Sequence, residues 1–204
     1  MTDYNNIKVI LVGETGCGKT NLIRVTMGYT FEMSLEATLT SWYSQYSIEV
    51  NNKKYHCSLW DTNGHEKARH LNKLFIKDSK IVLIVFSMNY HREFEEVDFW
   101  YNYTKEILGE DGYIIALVGN KSDLFESEEF LSNEVVEKKA KELNVKYKIT
   151  SALKDAEGFK KFLDELIEEY INKYYPEEHE APKTIKIEKE KKNDNRKSKN
   201  KCKN

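Results

Sequence analysis

The sequence predicts a three-layer α/β sandwich: a six-stranded, mostly parallel sheet with one antiparallel strand, flanked by helices on both faces. Three observations carry this prediction. Six short runs rich in Val, Ile, Tyr and Phe recur at 8–12, 43–50, 54–60, 80–86, 113–119 and 145–149, and most alternate with helix-length stretches. The runs at 80–86 and 113–119 are almost continuously apolar, as parallel strands covered on both faces must be. The segment 157–174 sets Phe159, Phe162, Leu163, Leu166, Ile167, Tyr170, Ile171 and Tyr174 at helical spacing, a stripe that needs a sheet or bundle to cover it.

Taken in order, the first run leads through a glycine-rich stretch into a helical segment at 21–27. Between the second and third runs stand Asn51 and Asn52, residues that tolerate positive φ, so a two-residue hairpin makes this pair antiparallel. The fourth and fifth runs read as central strands, and the sixth precedes the long amphipathic helix. No internal repeat is visible.

A length of 204 residues suits one domain with an appendage. Stretches such as Ile81 to Phe86 are far shorter than the roughly 18 apolar residues that span a bilayer. A formal charge of −2 argues against the whole chain binding nucleic acid, and a monomer is expected. Cys17, Cys57 and Cys202 cannot build a disulfide framework and lack the paired spacing of structural zinc, which points to a reducing compartment. The polar start at 1–6 and Thr2 predict neither a signal peptide nor N-myristoylation.

Composition changes after Tyr175, so the domain is assigned to 1–175 and a disordered tail to 176–204. From Lys183 to Asn204 there are ten basic residues and three acids, a net of +7, which leaves −9 on the preceding 182 residues. The tail is expected to stay solvated and to meet an acidic partner or an anionic membrane, at about 1 kcal/mol per basic residue near the surface.

Gly13-Glu14-Thr15-Gly16-Cys17-Gly18-Lys19-Thr20 fills the pattern G-x-x-x-x-G-K-[ST] between the first strand and the first helix. In such a P-loop the glycines let backbone N–H groups turn onto phosphate oxygens. The lysine neutralises the β- and γ-phosphates, and the Thr20 hydroxyl can ligate magnesium. The pattern specifies a nucleoside triphosphate without naming the base.

Asn120-Lys121-Ser122-Asp123 addresses the base, because a carboxylate at Asp123 accepts from both the ring N–H and the exocyclic amine of guanine. Adenine would leave it unpaired, a mismatch that costs roughly 10⁴ to 10⁵ in discrimination. Thr150-Ser151-Ala152 closes the next strand and can offer a backbone N–H to the guanine oxygen. In Trp60-Asp61-Thr62-Asn63-Gly64-His65-Glu66, Asp61 is read as a magnesium holder through water. Gly64 is read as letting its N–H reach the γ-phosphate.

Together these motifs resemble the small GTPases of the Ras superfamily over about residues 7–174. The resemblance implies a P-loop NTPase fold, GTP and GDP as ligands and Mg²⁺ as cofactor. By spacing it sets Phe31 where the family packs an aromatic on guanine, and Thr38 where the first switch supplies a metal-ligating threonine. The Rab branch is nearest, on the Trp60-Asp61-Thr62 opening of the second switch and on Tyr43, Trp60 and Phe75, aromatics that fit either an effector patch or the core. Effectors, an exchange factor and an activating protein would then dock through 38–43 and 65–75, and the protein would sit reversibly on the cytosolic face of an endomembrane.

The sequence departs from the family at His65, which replaces the glutamine that orients the attacking water. An imidazole sets its two nitrogens differently from an amide, so slow hydrolysis is predicted, and Thr15 and Asn63 crowd the same region. The first switch lacks the expected glycine in Leu39-Thr40-Ser41-Trp42-Tyr43, and a single Cys202, third from the end, is the expected prenylation site. The reading is therefore a GTPase switch in vesicle trafficking. The alternatives are a GTP-loaded scaffold with negligible hydrolysis and, more distantly, a small-molecule phosphotransferase.

Overall fold

The structure is a computed structural model and describes residues 6–38, 40–65, 69–126 and 130–176. The basic tail from Lys183, Cys202, and the switch positions Leu39 and Glu66 lie outside the described residues. The chain runs β1 (Asn6–Val12), α1 (Lys19–Thr26), β2 (Trp42–Val50), β3 (Lys53–Asp61), α2 (Arg69–Ile76), β4 (Ile81–Ser87) and α3 (His91–Glu95). It continues through α4 (Val97–Leu108), β5 (Ile114–Asn120), α5 (Asn133–Leu143), β6 (Lys146–Ile149) and α6 (Ala156–Tyr174).

The six strands form one sheet in the order β2-β3-β1-β4-β5-β6. Only β2 is antiparallel, paired to β3 with Val50 opposite Lys53. Asn51 and Asn52 turn this hairpin with φ of 51° and 62°, the positive pair that a two-residue turn matched to strand twist requires. The expected fold class is the one observed, with strand ends shifted by about a residue.

Alternation along the strands feeds two cores. Val9, Leu11, Leu83, Val85, Ala116 and Val118 face one side, under α1 and the buried stripe of α6. Ile10, Val12, Val82, Ile84, Ile115 and Leu117 face the other, under α2 to α5. Strand β4 is buried at every position, as its unbroken apolar run demands. In α6 the predicted stripe is buried from Phe159 to Ile171, while Tyr174 is half-buried, and Asp155 caps the helix by accepting from the Gly158 N–H at 3.2 Å.

One boundary differs in a way that matters for the site. Helix α1 starts at Lys19 instead of residue 21, directly after Gly18 in the left-handed region at φ 97°. Apolar periodicity begins only at Leu22, so the polar first turn carries no helical signature.

Candidate nucleotide site

A pocket of about 540 Å³ opens at the carboxyl ends of the parallel strands, where open α/β sheets place their ligands. The loop after β1 and the first turn of α1 line one end through Thr15, Gly16, Gly18, Lys19 and Thr20. Thr62 and Gly64 come from the end of β3, Lys121 and Asp123 from the end of β5, and Ala152 from the end of β6.

The first end is organised by Lys19, a residue 5% exposed whose ammonium donates to the carbonyls of Gly13 and Glu14, both at 2.9 Å. The ammonium also lies 3.8 Å from the Cys17 sulfur, a weak acceptor that a phosphate oxygen would displace. Cys17 itself turns into the core. Burial pushes its thiol up against the opposing pull of Lys19, so this side chain belongs to the packing while the backbone belongs to the loop. Glu14 also points away from the pocket, accepting from the Trp100 indole N–H at 3.3 Å.

Beside this loop three oxygens converge. Thr20 Oγ1 donates to Asp61 Oδ2 at 2.7 Å, Thr38 Oγ1 donates to the same oxygen at 3.1 Å, and the two hydroxyls are 3.0 Å apart. Asp61 is fully buried, and its Oδ1 has no hydrogen-bond partner among the described residues. A buried carboxylate with a vacant lone pair is costly unless a cation or water completes it. Hard oxygen donors in this number suit Mg²⁺ shared with phosphates, because magnesium is held by one or two protein groups plus substrate oxygens. The residues present therefore fit the cation that the sequence implied.

At the far end Asp123 accepts from the Ser151 hydroxyl, whose oxygen in turn accepts the N–H groups of Leu153 at 3.2 Å and Lys154 at 3.0 Å. The carboxylate is thereby fixed at the pocket wall. Lys121 takes a left-handed conformation, φ 61°, which turns the chain from β5 into the short 3₁₀ turn carrying Asp123. Asn120 is buried and ties two loops together: its Nδ2 donates to the Cys17 carbonyl at 2.9 Å and its Oδ1 accepts from the Ala152 N–H at 3.0 Å. A Cβ on Gly18 would lie 2.3 Å from that Nδ2, so this strap needs glycine there for space as well as for φ. Beneath the strap, burial raises the Glu93 carboxyl, while a hydrogen bond from the Ser87 N–H and the charges of Lys121 and Lys19 pull it down.

Phe31 and Thr38 both line the pocket. Their loop is held to α1 by Asn21, whose amide both donates to the Glu32 carbonyl at 2.8 Å and accepts the Glu32 N–H at 3.1 Å. Arg24 adds an ion pair to Glu32 at 2.9 Å. Sequence reasoning missed Asn21, together with Leu35 and Leu153 of the lining, because none of them falls in a motif.

His65 is exposed and is not part of the lining, and its backbone N–H donates to Asn63 Oδ1 at 2.8 Å. Tyr43 and Trp60 stack at 5.0 Å and Trp60 meets Phe75 at 5.8 Å. Tyr43 is 51% exposed, while Trp60 and Phe75 are half-buried and pack against the second core, so the three aromatics run from core to surface, with Leu71 and Leu74 exposed on the same helix as Phe75. A family model described as Ras family matches residues 8–172 of the chain.

Proposed function

The chain belongs to the Ras family, small GTPases that bind GTP and GDP with Mg²⁺ and act through effectors, exchange factors and activating proteins; on that premise we propose a Rab-like switch in vesicle trafficking with slow hydrolysis of its own. The observation that carries the reading is the convergence of Thr20, Thr38 and the partly unpaired Asp61 at one end of a pocket whose other end holds Asp123.

In this reading the backbone from Gly13 to Thr20 cradles the phosphates, and Lys19 neutralises the β- and γ-groups. Thr20 and Thr38 would hold the cation directly, and Asp61 would hold it through water. Bound magnesium offsets charge on the phosphate oxygens. Phe31 covers one face of the base. Asp123 accepts its two N–H groups, while Asn120, Lys121, Ser151 and Ala152 frame it. Thr38 and Gly64 lie on the loops that γ-phosphate orders and its loss releases.

In hydrolysis a water oxygen bonds to the γ-phosphorus, the bond to the β-phosphate oxygen breaks, GDP leaves with the electron pair, and the proton that the water sheds ends on the released phosphate. That water needs a positioned partner. The exposed His65 is a poor one, which supports an intrinsic rate at or below roughly 10⁻⁴ s⁻¹. In single-turnover assays His65→Gln is expected to raise the rate at least about tenfold, and an unchanged rate would sink the role given to this position. The same exposure favours a second reading, a GTP-loaded scaffold with negligible hydrolysis. Nucleotide released from purified protein separates the two, GDP supporting the switch and GTP the scaffold.

The aromatic surface of Tyr43, Trp60 and Phe75, with Leu71 and Leu74 beside it, is an apolar platform of the kind effectors cover. Prenylation at Cys202 together with the +7 tract would supply the two signals that stable membrane attachment takes. Tagged full-length protein is expected to leave the membrane fraction on Cys202→Ser. Retention of that variant at the wild-type level would exclude a lipid at this cysteine.

A further inference from the structure

Gly64 sits between two peptide planes, and an asparagine side chain grips each. The carbonyl of Asn63 accepts from Asn72 Nδ2 at 3.0 Å, and the N–H of His65 donates to Asn63 Oδ1 at 2.8 Å. Asn72 is 1% exposed on α2, so its amide must find a protein partner, and the helix is thereby tied to the chain nine residues earlier. One residue before the pair, Thr62 is anchored as well, its hydroxyl donating to the Leu11 carbonyl of β1 at 2.7 Å.

The first of these bonds bears on the nucleotide. The Asn63 carbonyl and the Gly64 N–H belong to one peptide unit, which is planar and trans, so they point in opposite directions. Holding the carbonyl towards α2 turns the Gly64 N–H away from α2. Gly64 lines the pocket and lies so close to the phosphate loop that a Cβ would stand 2.4 Å from the Thr15 nitrogen. We infer that Asn72, with Asn63 as its second member, is a positioning residue that aims the Gly64 N–H at the γ-phosphate. The inference rests on the reading of Gly64 as the γ-phosphate contact. It adds that a buried amide on the helix sets the direction of that contact, so that α2 and γ-phosphate sensing move as one unit.

GDP has no γ-phosphate, so the clamp acts on one nucleotide and not on the other. In full-length Asn72→Asp a carboxylate oxygen faces the Asn63 carbonyl where a donor stood. A non-hydrolysable GTP analogue is expected to dissociate about tenfold faster, the loss of one hydrogen bond's worth of orientation, with GDP release within about twofold of wild type. A defect in folding or packing moves both rates together. Equal acceleration of both, or no change in either, would overturn the inference. If Asn72→Asp does not fold, Asn72→Ala removes the donor without adding charge and is read in the same way. Gly64→Ala, whose Cβ forces the segment off the phosphate loop, is expected to lose the preference for the analogue as well. If it keeps that preference, the reading of Gly64 fails and the inference with it; if it loses the preference while both Asn72 variants keep it, the clamp alone is wrong.

Discussion

Asp123→Asn is expected to weaken GTP binding by roughly 10⁴ and to make xanthosine triphosphate the better ligand. The carboxylate can only accept, and the guanine edge presents two donors to it. An asparagine in the same place keeps one acceptor and converts the other into a donor, which then faces the exocyclic amine of guanine and leaves both unpaired. Xanthine carries a carbonyl at that ring position and restores the match. The structure also predicts that the exchange is local. The Ser151 hydroxyl donates to Asp123 Oδ1, and its oxygen is occupied by the N–H groups of Leu153 and Lys154, so its proton stays aimed at residue 123. Asparagine Oδ1 can take over that bond and leave Nδ2 towards the base. Displacement of fluorescent GDP by GTP and by xanthosine triphosphate is the measurement. Equal weakening of the two would mean that Asp123 shapes the loop without reading the base.

The residues legible in the sequence share a property: their chemistry depends on neighbours along the chain. The hairpin at Asn51 and Asn52 needed two residues tolerant of positive φ between two strand-like runs, and the chain shows them. The phosphate loop, Asp61 and Asp123 are recognised because each follows directly on a strand whose apolar run marks it. What escaped notice acts across the fold. Asn21 reaches a loop eleven positions on, Asn72 a carbonyl nine positions back, and both do so through side-chain amides that leave no periodic trace. Nor does membership of a motif reveal direction. Cys17 and Glu14 stand inside the glycine-rich pattern, yet one packs into the core and the other accepts from Trp100 on α4, because a loop that presents its backbone N–H groups to phosphate leaves these side chains to pack on the protein.

That distinction gives Lys19 its expected effect. Lys19→Met is predicted to reduce affinity for GDP and GTP alike by about 10³, since a unit charge about 4 Å from a phosphate oxygen at an effective dielectric near 20 contributes about 4 kcal/mol. Methionine is close to lysine in length and suits a site that is 5% exposed, so loss of charge dominates loss of shape. The fold is affected in two opposing ways. The carbonyls of Gly13 and Glu14 lose their donor, at about 1–3 kcal/mol each if they stay dry, while a buried ammonium no longer has to be desolvated. The nucleotide-free variant should therefore unfold close to wild type even though its affinity collapses. Lys19→Arg tests the geometry separately. It restores the charge but replaces three tetrahedral donors with a planar fork that cannot reach both loop carbonyls and a phosphate together, so only part of the affinity should return. Equilibrium displacement of labelled GDP reads all three proteins. Binding by Lys19→Met within about tenfold of wild type would show that the loop backbone, and not the ammonium, carries the phosphates; the γ-phosphate-selective defect expected of Asn72→Asp would then be the larger of the two effects on GTP.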